Sequence, residues 1–201
     1  MRRKRRIRRL TLVLIIVLIM ALLFPKKRIE KTEYTSKTLI HTIIDEIQCF
    51  PVDYSDNDIY YTDSWGYERT YGGNRKHEGT DIMDTQNSRG RLEVISMTDG
   101  VVENLGWNEK GGWRVGIRTD SGNYYYYAHL AEFKKNLKEG DLIKAGDLLG
   151  KMGDSGYSQI EGTTGNFDVH LHIGIYYKSE EKSQIAINPY PFLKIIEFYN
   201  T

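Results

Sequence analysis

From Trp65 onward, apolar and polar side chains alternate in short runs, and glycines interrupt those runs at close intervals. This pattern constrains the fold most, because a period of two puts one face of each run against a core and the other towards water. Trp113, Val115, Ile117 and Thr119 share one face of such a run, and Arg114, Gly116 and Arg118 the other. Asp120-Ser121-Gly122-Asn123 reads as a turn and Tyr124 to Leu130 as the returning antiparallel strand. Gly140-Asp141 and Gly146-Asp147 bracket further short strands, as do Gly150 and Gly153. No glycine-rich phosphate loop opens a helix and no repeat of fixed period occurs, which disfavours nucleotide-binding α/β folds. The expected class is mainly β, an antiparallel sheet arranged as a groove or sandwich.

Charge divides the chain. Its 201 residues carry 28 Lys and Arg against 27 Asp and Glu, a formal net charge of +1. Residues 1–31 hold 11 basic side chains and one acid, Glu30, which leaves 17 basic and 26 acidic residues for the remainder. An acidic body of this kind argues against a grip on nucleic acid. In the head, seven basic residues precede Leu10 to Phe24, a 15-residue run in which Thr11 is the one polar group. The run is shorter than the roughly 20 residues of a full span, yet Leu22-Leu23-Phe24-Pro25 lacks the small-residue pattern at which a signal peptide is cut. We expect an uncleaved signal anchor, with Arg9 and Lys26 snorkelling to lengthen it. Seven basic residues before the run against four after it keep the N-terminus cytoplasmic and send the body outside.

The expected organisation is a cytoplasmic basic tail at 1–9, a transmembrane helix at 10–24, an extracytoplasmic spacer at 25–63 and a β domain at 64–198. Within the spacer, Leu39, Ile43 and Ile47 recur four apart with Ile40 and Ile44 beside them, which predicts a short amphipathic helix between Thr35 and Cys49, ahead of Pro51. Asp53 to Asp63, acidic and rich in tyrosine, reads as an exposed connection. Cys49 is the one cysteine, so the body must be stable without an internal disulfide.

Of five histidines, His41 falls in the spacer helix and reads as a solvated or packing residue; His77, His129, His170 and His172 fall in the β domain. His170 and His172 share a strand face with Gly174, opposite the apolar face of Val169, Leu171, Ile173 and Ile175. Imidazoles at this spacing stand roughly 6.5 to 7 Å apart, which suits one metal ligand and one neighbour. His77 and Asp81 are four apart, but Gly72, Gly73 and Gly79 oppose a helix, so the two must meet through a loop entering a strand, with Glu78 pointing away. This separates the pair from the helical H-E-x-x-H zinc motif. His129 ends a tyrosine run and, on a regular strand, shares a face with Tyr125 and Tyr127.

Together, Gly73 to Asp81 (G-x-R-x-H-x-G-x-D), Tyr127 to Leu130 (Y-A-H-L) and His170 to His172 (H-L-H) resemble, in order and spacing, the lysostaphin/LytM-type zinc endopeptidases. The resemblance runs from Trp65 to Leu193 and includes Gly140 to Gly150 and Ile187-Asn188-Pro189. It implies a duplicated hybrid motif fold, zinc held by His77, Asp81 and His172, catalytic imidazoles at His129 and His170, and peptide stems or cross-bridges of bacterial peptidoglycan as substrate. Two nitrogen ligands and one carboxylate oxygen are donors that zinc accepts, and three protein ligands leave a fourth position for water. The division of roles between His129 and His170 stays open. Two further readings share the scaffold: a non-catalytic interaction domain, as in septal activators or sporulation channel components, and a zinc carboxypeptidase, which would need a groove cation such as Arg75 or Arg114. The chain departs from the family at Phe167-Asp168-Val169, where Gly-Pro is usual. The loop from Asp154 to Asn166 is expected to be a flexible flank of the groove.

Overall fold

The computed structural model describes residues 36–55, 57–178 and 184–200. The expected basic tail at 1–9 and anchor at 10–24 lie outside the described residues, among which no helix is long and apolar enough to cross a membrane. The chain divides into two units, Met1–Ile43 and Ile44–Thr201. Residues 36–46 form helix α1, inside the span predicted from the isoleucine spacing, and the described part of the first unit is helical throughout.

The second unit is built on antiparallel strands, as the alternation predicts. In chain order these are β1 (Val52–Asp53), β2 (Ile59–Tyr61), β3 (Glu68–Arg69), β4 (Arg75–Lys76), β5 (Thr80–Asp84), β6 (Glu93–Ile95) and β7 (Gly100–Asn108). They continue as β8 (Gly112–Arg118), β9 (Tyr124–Phe133), β10 (Leu142–Ile143), β11 (Leu148–Met152), β12 (His170–Tyr177) and β13 (Ile185–Ile187), before helix α2 (Tyr190–Asn200). Among the described residues, eleven strands join one sheet whose central path runs β6-β11-β9-β12-β5, and β3 pairs with β4 as a separate hairpin. The stretch expected as an exposed connection contributes instead two short strands, β1 beside β6 and β2 beside β5.

Burial follows the pleat. Leu171, Ile173 and Ile175 of β12, Tyr125, Tyr127 and Leu130 of β9, and Val115 and Ile117 of β8 are all buried on one face. Fully burying an aliphatic side chain stabilises the fold by about 1.5–3 kcal/mol. The opposite face of the same strands forms a groove. Because β12 hydrogen-bonds β9 along one edge and β5 along the other, His172 lies in register with Ala128 on one side and Asp81 on the other.

The turn between β8 and β9 is fastened by a single carboxylate. Glu46 accepts hydrogen bonds from Thr119 Oγ1 at 2.7 Å, Asn123 Nδ2 at 2.9 Å, Tyr125 Oη at 2.8 Å and the Ser121 hydroxyl. Tyr125 is fully buried, and its hydroxyl has this carboxylate as its partner. A buried donor left without its acceptor costs about 1–3 kcal/mol. Glu46→Ala is therefore expected to lower unfolding stability by about 2–4 kcal/mol, and Glu46→Gln by less, as read from urea denaturation midpoints.

Candidate active site

Three side chains converge on one point of the groove. His77 Nε2 lies 2.9 Å from His172 Nδ1 and 3.0 Å from Asp81 Oδ1, and His172 Nδ1 lies 2.9 Å from Asp81 Oδ1. His172 and Asp81 are cross-strand neighbours on β12 and β5, while His77 enters from the link between β4 and β5. The sequence pair His77 and Asp81 thus meets across a loop-to-strand junction, as the glycines require, and Glu78 is exposed. Gly79 makes the junction possible: a Cβ there would stand 2.4 Å from His172 Cε1 and 2.5 Å from the Ile173 carbonyl oxygen.

These three atoms fit a metal. Zinc bonds to nitrogen and oxygen of about 2.0–2.1 Å, arranged tetrahedrally, set ligand atoms about 3.3 Å apart, a few tenths of an ångström wider than the spacing here. A second layer of contacts aims each donor. Ser64 O accepts from His77 Nδ1 at 2.9 Å, which leaves Nε2 as the nitrogen available to a metal. Arg69 Nη2 donates to Asp81 Oδ2 at 2.6 Å, which leaves Oδ1 to the imidazoles. Burial opposes ionisation of Asp81, but the hydrogen bond with His172 and the close approach of His77 outweigh it and hold the carboxyl well below the usual carboxylate range.

His129 and His170 stand beside this cluster with ring centroids 4.7 Å apart, and His170 Nε2 is 3.9 Å from Asp81 Oδ1. His129 Nδ1 donates to the Ser155 carbonyl and His170 Nδ1 to that of Asp168, each at 2.7 Å. Both rings are thereby fixed in the tautomer whose Nε2 is the proton acceptor. Phe167 packs edge-on to His129 at 4.6 Å and against His170 at 5.1 Å. The departure at Phe167-Asp168-Val169 therefore contributes an aromatic wall and the carbonyl that orients His170.

One expectation is overturned. His129 does not share a face with Tyr125 and Tyr127, because β9 carries a bulge there: Trp113 pairs with Leu130 but Val115 with Tyr127, which leaves one extra residue in β9. His129 takes the left-handed conformation at φ 65°, and its N–H donates to Gly111 O at 2.8 Å. The extra residue turns its imidazole into the groove with Tyr126 and Ala128 and returns Leu130 to the core. Gly112 matters for the same reason. A Cβ there would fall 2.3 Å from the Ser155 carbonyl oxygen, the atom that orients His129.

The loop from Asp154 to Asn166, expected to be flexible, is tied down by hydrogen bonds. Asp154 Oδ2 accepts from Arg89 Nη2 at 3.0 Å and from the Gly165 N–H at 2.8 Å, and Ser158 N donates to Glu109 O at 3.1 Å. Sequence reading missed Ser64, Arg69, Ser155 and Asp168. Three of them act through backbone carbonyls, for which no side-chain signal exists.

The profile of Peptidase family M23 matches residues 75–189, more than half of the chain. The chain belongs to this family. A curated relative, the L-Ala--D-Glu endopeptidase of Bacillus subtilis, is 44% identical over 142 residues, which cover 71% of this chain and 42% of that protein. This chain thus matches less than half the length of that relative. Among solved structures, a protein assigned as a glycyl-glycine endopeptidase, LytM, from Ruminococcus gnavus is 54% identical with a TM-score of 0.69, over 77% of this chain and 62% of the other. The catalytic domain of lysostaphin from Staphylococcus simulans is 29% identical with a TM-score of 0.53, over 69% of this chain and 94% of that domain.

Burial keeps two of the imidazoles neutral. It pushes the pKa of His129 well below its ordinary value, with the neighbouring His170 and His172 adding to the effect, and it pushes His172 down against the pull of Asp81. Below the unperturbed value near 6.5 the unfolded chain binds protons that the folded chain refuses, so stability falls as pH drops through that value. A bound metal gives the same sign, because a ligating imidazole must be neutral. Thermal unfolding between pH 8 and pH 5 should show this decline, and His129→Gln should flatten it.

Proposed function

We propose that this chain is a zinc-dependent endopeptidase that cuts peptide stems or cross-bridges of bacterial peptidoglycan. The observation that carries this reading is the convergence of His77 Nε2, His172 Nδ1 and Asp81 Oδ1 within 3.0 Å of one another, beside two further imidazoles oriented through Nδ1. Membership of a peptidase family and relatives named as endopeptidases support it. A non-catalytic domain on this scaffold could dispense with some of the five side chains, and here all five are present and meet.

His77, Asp81 and His172 would hold the metal, which supplies a Lewis acid and a water of lowered pKa near the scissile carbonyl. His129 and His170 hold and move the proton. In each, Nδ1 donates to a backbone carbonyl and Nε2 is the acceptor nitrogen, so either can take a proton from the attacking water and deliver it from the same atom to the leaving amine. Once it has taken the proton, that imidazolium can offset charge that develops on the carbonyl oxygen until the proton passes to the leaving amine. Phe167 and Tyr157, whose rings pack 4.9 Å apart beside His129, limit the access of water to these rings.

We propose further that residues 10–24 hold the domain outside the cytoplasmic membrane with the N-terminus inside, a reading that rests on the apolar run and its flanking charges. Two experiments test the activity. Incubation of the full chain with cross-linked peptidoglycan should release new amino termini, identified by mass spectrometry, that disappear with a chelator; their absence would sink the endopeptidase reading. His77→Ala should lose bound zinc, while His170→Ala should keep it and lose at least about a hundredfold in rate, as read from metal content and product formation. Equal loss of zinc in both variants would overturn the division of roles.

A further inference from the structure

Among its lining residues the cleft over the metal cluster, about 290 Å³ in volume, carries four cations, Arg69, Arg75, Lys76 and Lys110, against two acids, Glu78 and Asp81. The body around it is acidic, so this local excess is a property of the groove. Two of the cations are already spoken for: Arg69 pairs with Asp81 at 2.6 Å and Lys76 with Glu68 at 3.3 Å. Among the described residues, no carboxylate pairs with Arg75. Its Nε donates to Tyr71 O at 3.3 Å and its Nη2 to Tyr157 Oη at 3.2 Å, which leaves three of the five guanidinium N–H groups that an arginine carries.

Arg114 stands behind this wall. On β8 it lies on the groove side, opposite the buried Val115 and Ile117. Its Nη1 is buried and has no hydrogen-bond partner, and no carboxylate pairs with it among the described residues. Beside them on β9, the Tyr126 hydroxyl accepts from Asn108 Nδ2 at 2.9 Å. Tyr126 itself lines the cleft, and its ring centroid is 6.0 Å from that of His172. Of these two guanidinium groups without an anionic partner, Arg75 lines the cleft and Arg114 lies on the same side of the sheet without lining it. A buried donor without a partner is rare and costly, and a guanidinium matches a carboxylate in geometry and charge.

We infer that Arg75, backed by Arg114, forms a carboxylate subsite beside the scissile bond, so that the substrate is an acidic stem peptide and not a neutral glycine bridge. This rests on the endopeptidase reading and names the substrate class for it. A glutamyl residue on the amine side of the cut, joined onward through one of its two carboxyl groups, keeps the other as a free carboxylate next to the scissile nitrogen. A glycine bridge has no such group. The L-Ala--D-Glu and glycyl-glycine bonds named for the relatives differ in this respect.

Binding of capped peptides to the full chain in detergent, measured by calorimetry with chelator present, tests the subsite independently of cleavage. The probes are N-acetyl-L-Ala-γ-D-Glu-L-Lys amide, its D-isoglutamine analogue without a carboxylate, that analogue with a free C-terminal carboxylate, and pentaglycine amide. The first peptide should bind at least about tenfold more tightly than the second and the fourth, as expected for a charge-assisted hydrogen bond. Arg75→Gln and Arg114→Gln should each bring that ratio close to one, and Arg75→Lys should retain part of it. Equal binding of the first two peptides, or an unchanged ratio in both glutamine variants, overturns the subsite. Preference for the third peptide over the first overturns the position beside the scissile bond and points to recognition of a chain terminus. Absence of peptidoglycan cleavage with the binding ratio intact would count against the endopeptidase reading alone.

Discussion

In β12 the pleat sends Leu171, Ile173 and Ile175 into the core and His170, His172 and Gly174 to the groove, so the burial of one face determines where the imidazoles on the other must lie. A slip of one residue would put His172 in the core and Leu171 in the groove, at the loss of several kilocalories of apolar burial. Pairing with β5 and β9 then sets Asp81 and Ala128 on either side of His172. The candidate metal centre is in this sense a consequence of strand register. Only His77 comes from outside the central strands, and Gly79 allows its approach by leaving His172 unobstructed.

The second imidazole pair depends on an exception to that regularity. A residue with a side chain in the left-handed region carries strain of about 1–2 kcal/mol, and His129 bears it at φ 65°. The bulge persists because its N–H is satisfied by Gly111 O and its Nδ1 by Ser155 O, while Leu130 regains the core position that His129 would otherwise occupy. Strain at this place has a structural result, since it brings the His129 imidazole to the side of the sheet where β12 presents that of His170. The loop from Asp154 to Asn166 supplies the Ser155 carbonyl at its base, so its hydrogen bonds serve the orientation of His129 as well as the outline of the groove.

Electrostatics tie the two together. Imidazoles driven to the neutral form by burial, His129 and His172, are the form that binds a metal and accepts a proton, whereas the Asp81 carboxyl is kept ionised by His172 and His77. The groove concentrates cations in a body whose sequence is acidic beyond residue 31, so net charge alone misdescribes what a substrate meets. Attraction for an anionic peptide arises from a few guanidinium groups at short range, which salt screens less than it screens the wider surface.

Much of this was legible in the chain. Alternation identified the strand faces of β8 and β12, the glycines excluded a helix at His77, and the resemblance of three motifs to the lysostaphin/LytM-type endopeptidases pointed to five residues that the fold brings together. The first two are local, because a strand face or a loop follows from a few consecutive side chains. The sequence could not reveal which way His129 points, since a bulge is defined against a partner strand, nor that residues 52–53 and 59–61 join the sheet as edge strands. The carbonyls of Ser64, Ser155 and Asp168 carry no side-chain signature, and Arg69 gains meaning only once it reaches Asp81. Composition and pattern by themselves determined the fold class and the chemistry of the donors. Tertiary structure alone decided which nitrogen of each imidazole faces the groove and which arginines stand there without an anionic partner, because both depend on contacts between segments far apart in the chain.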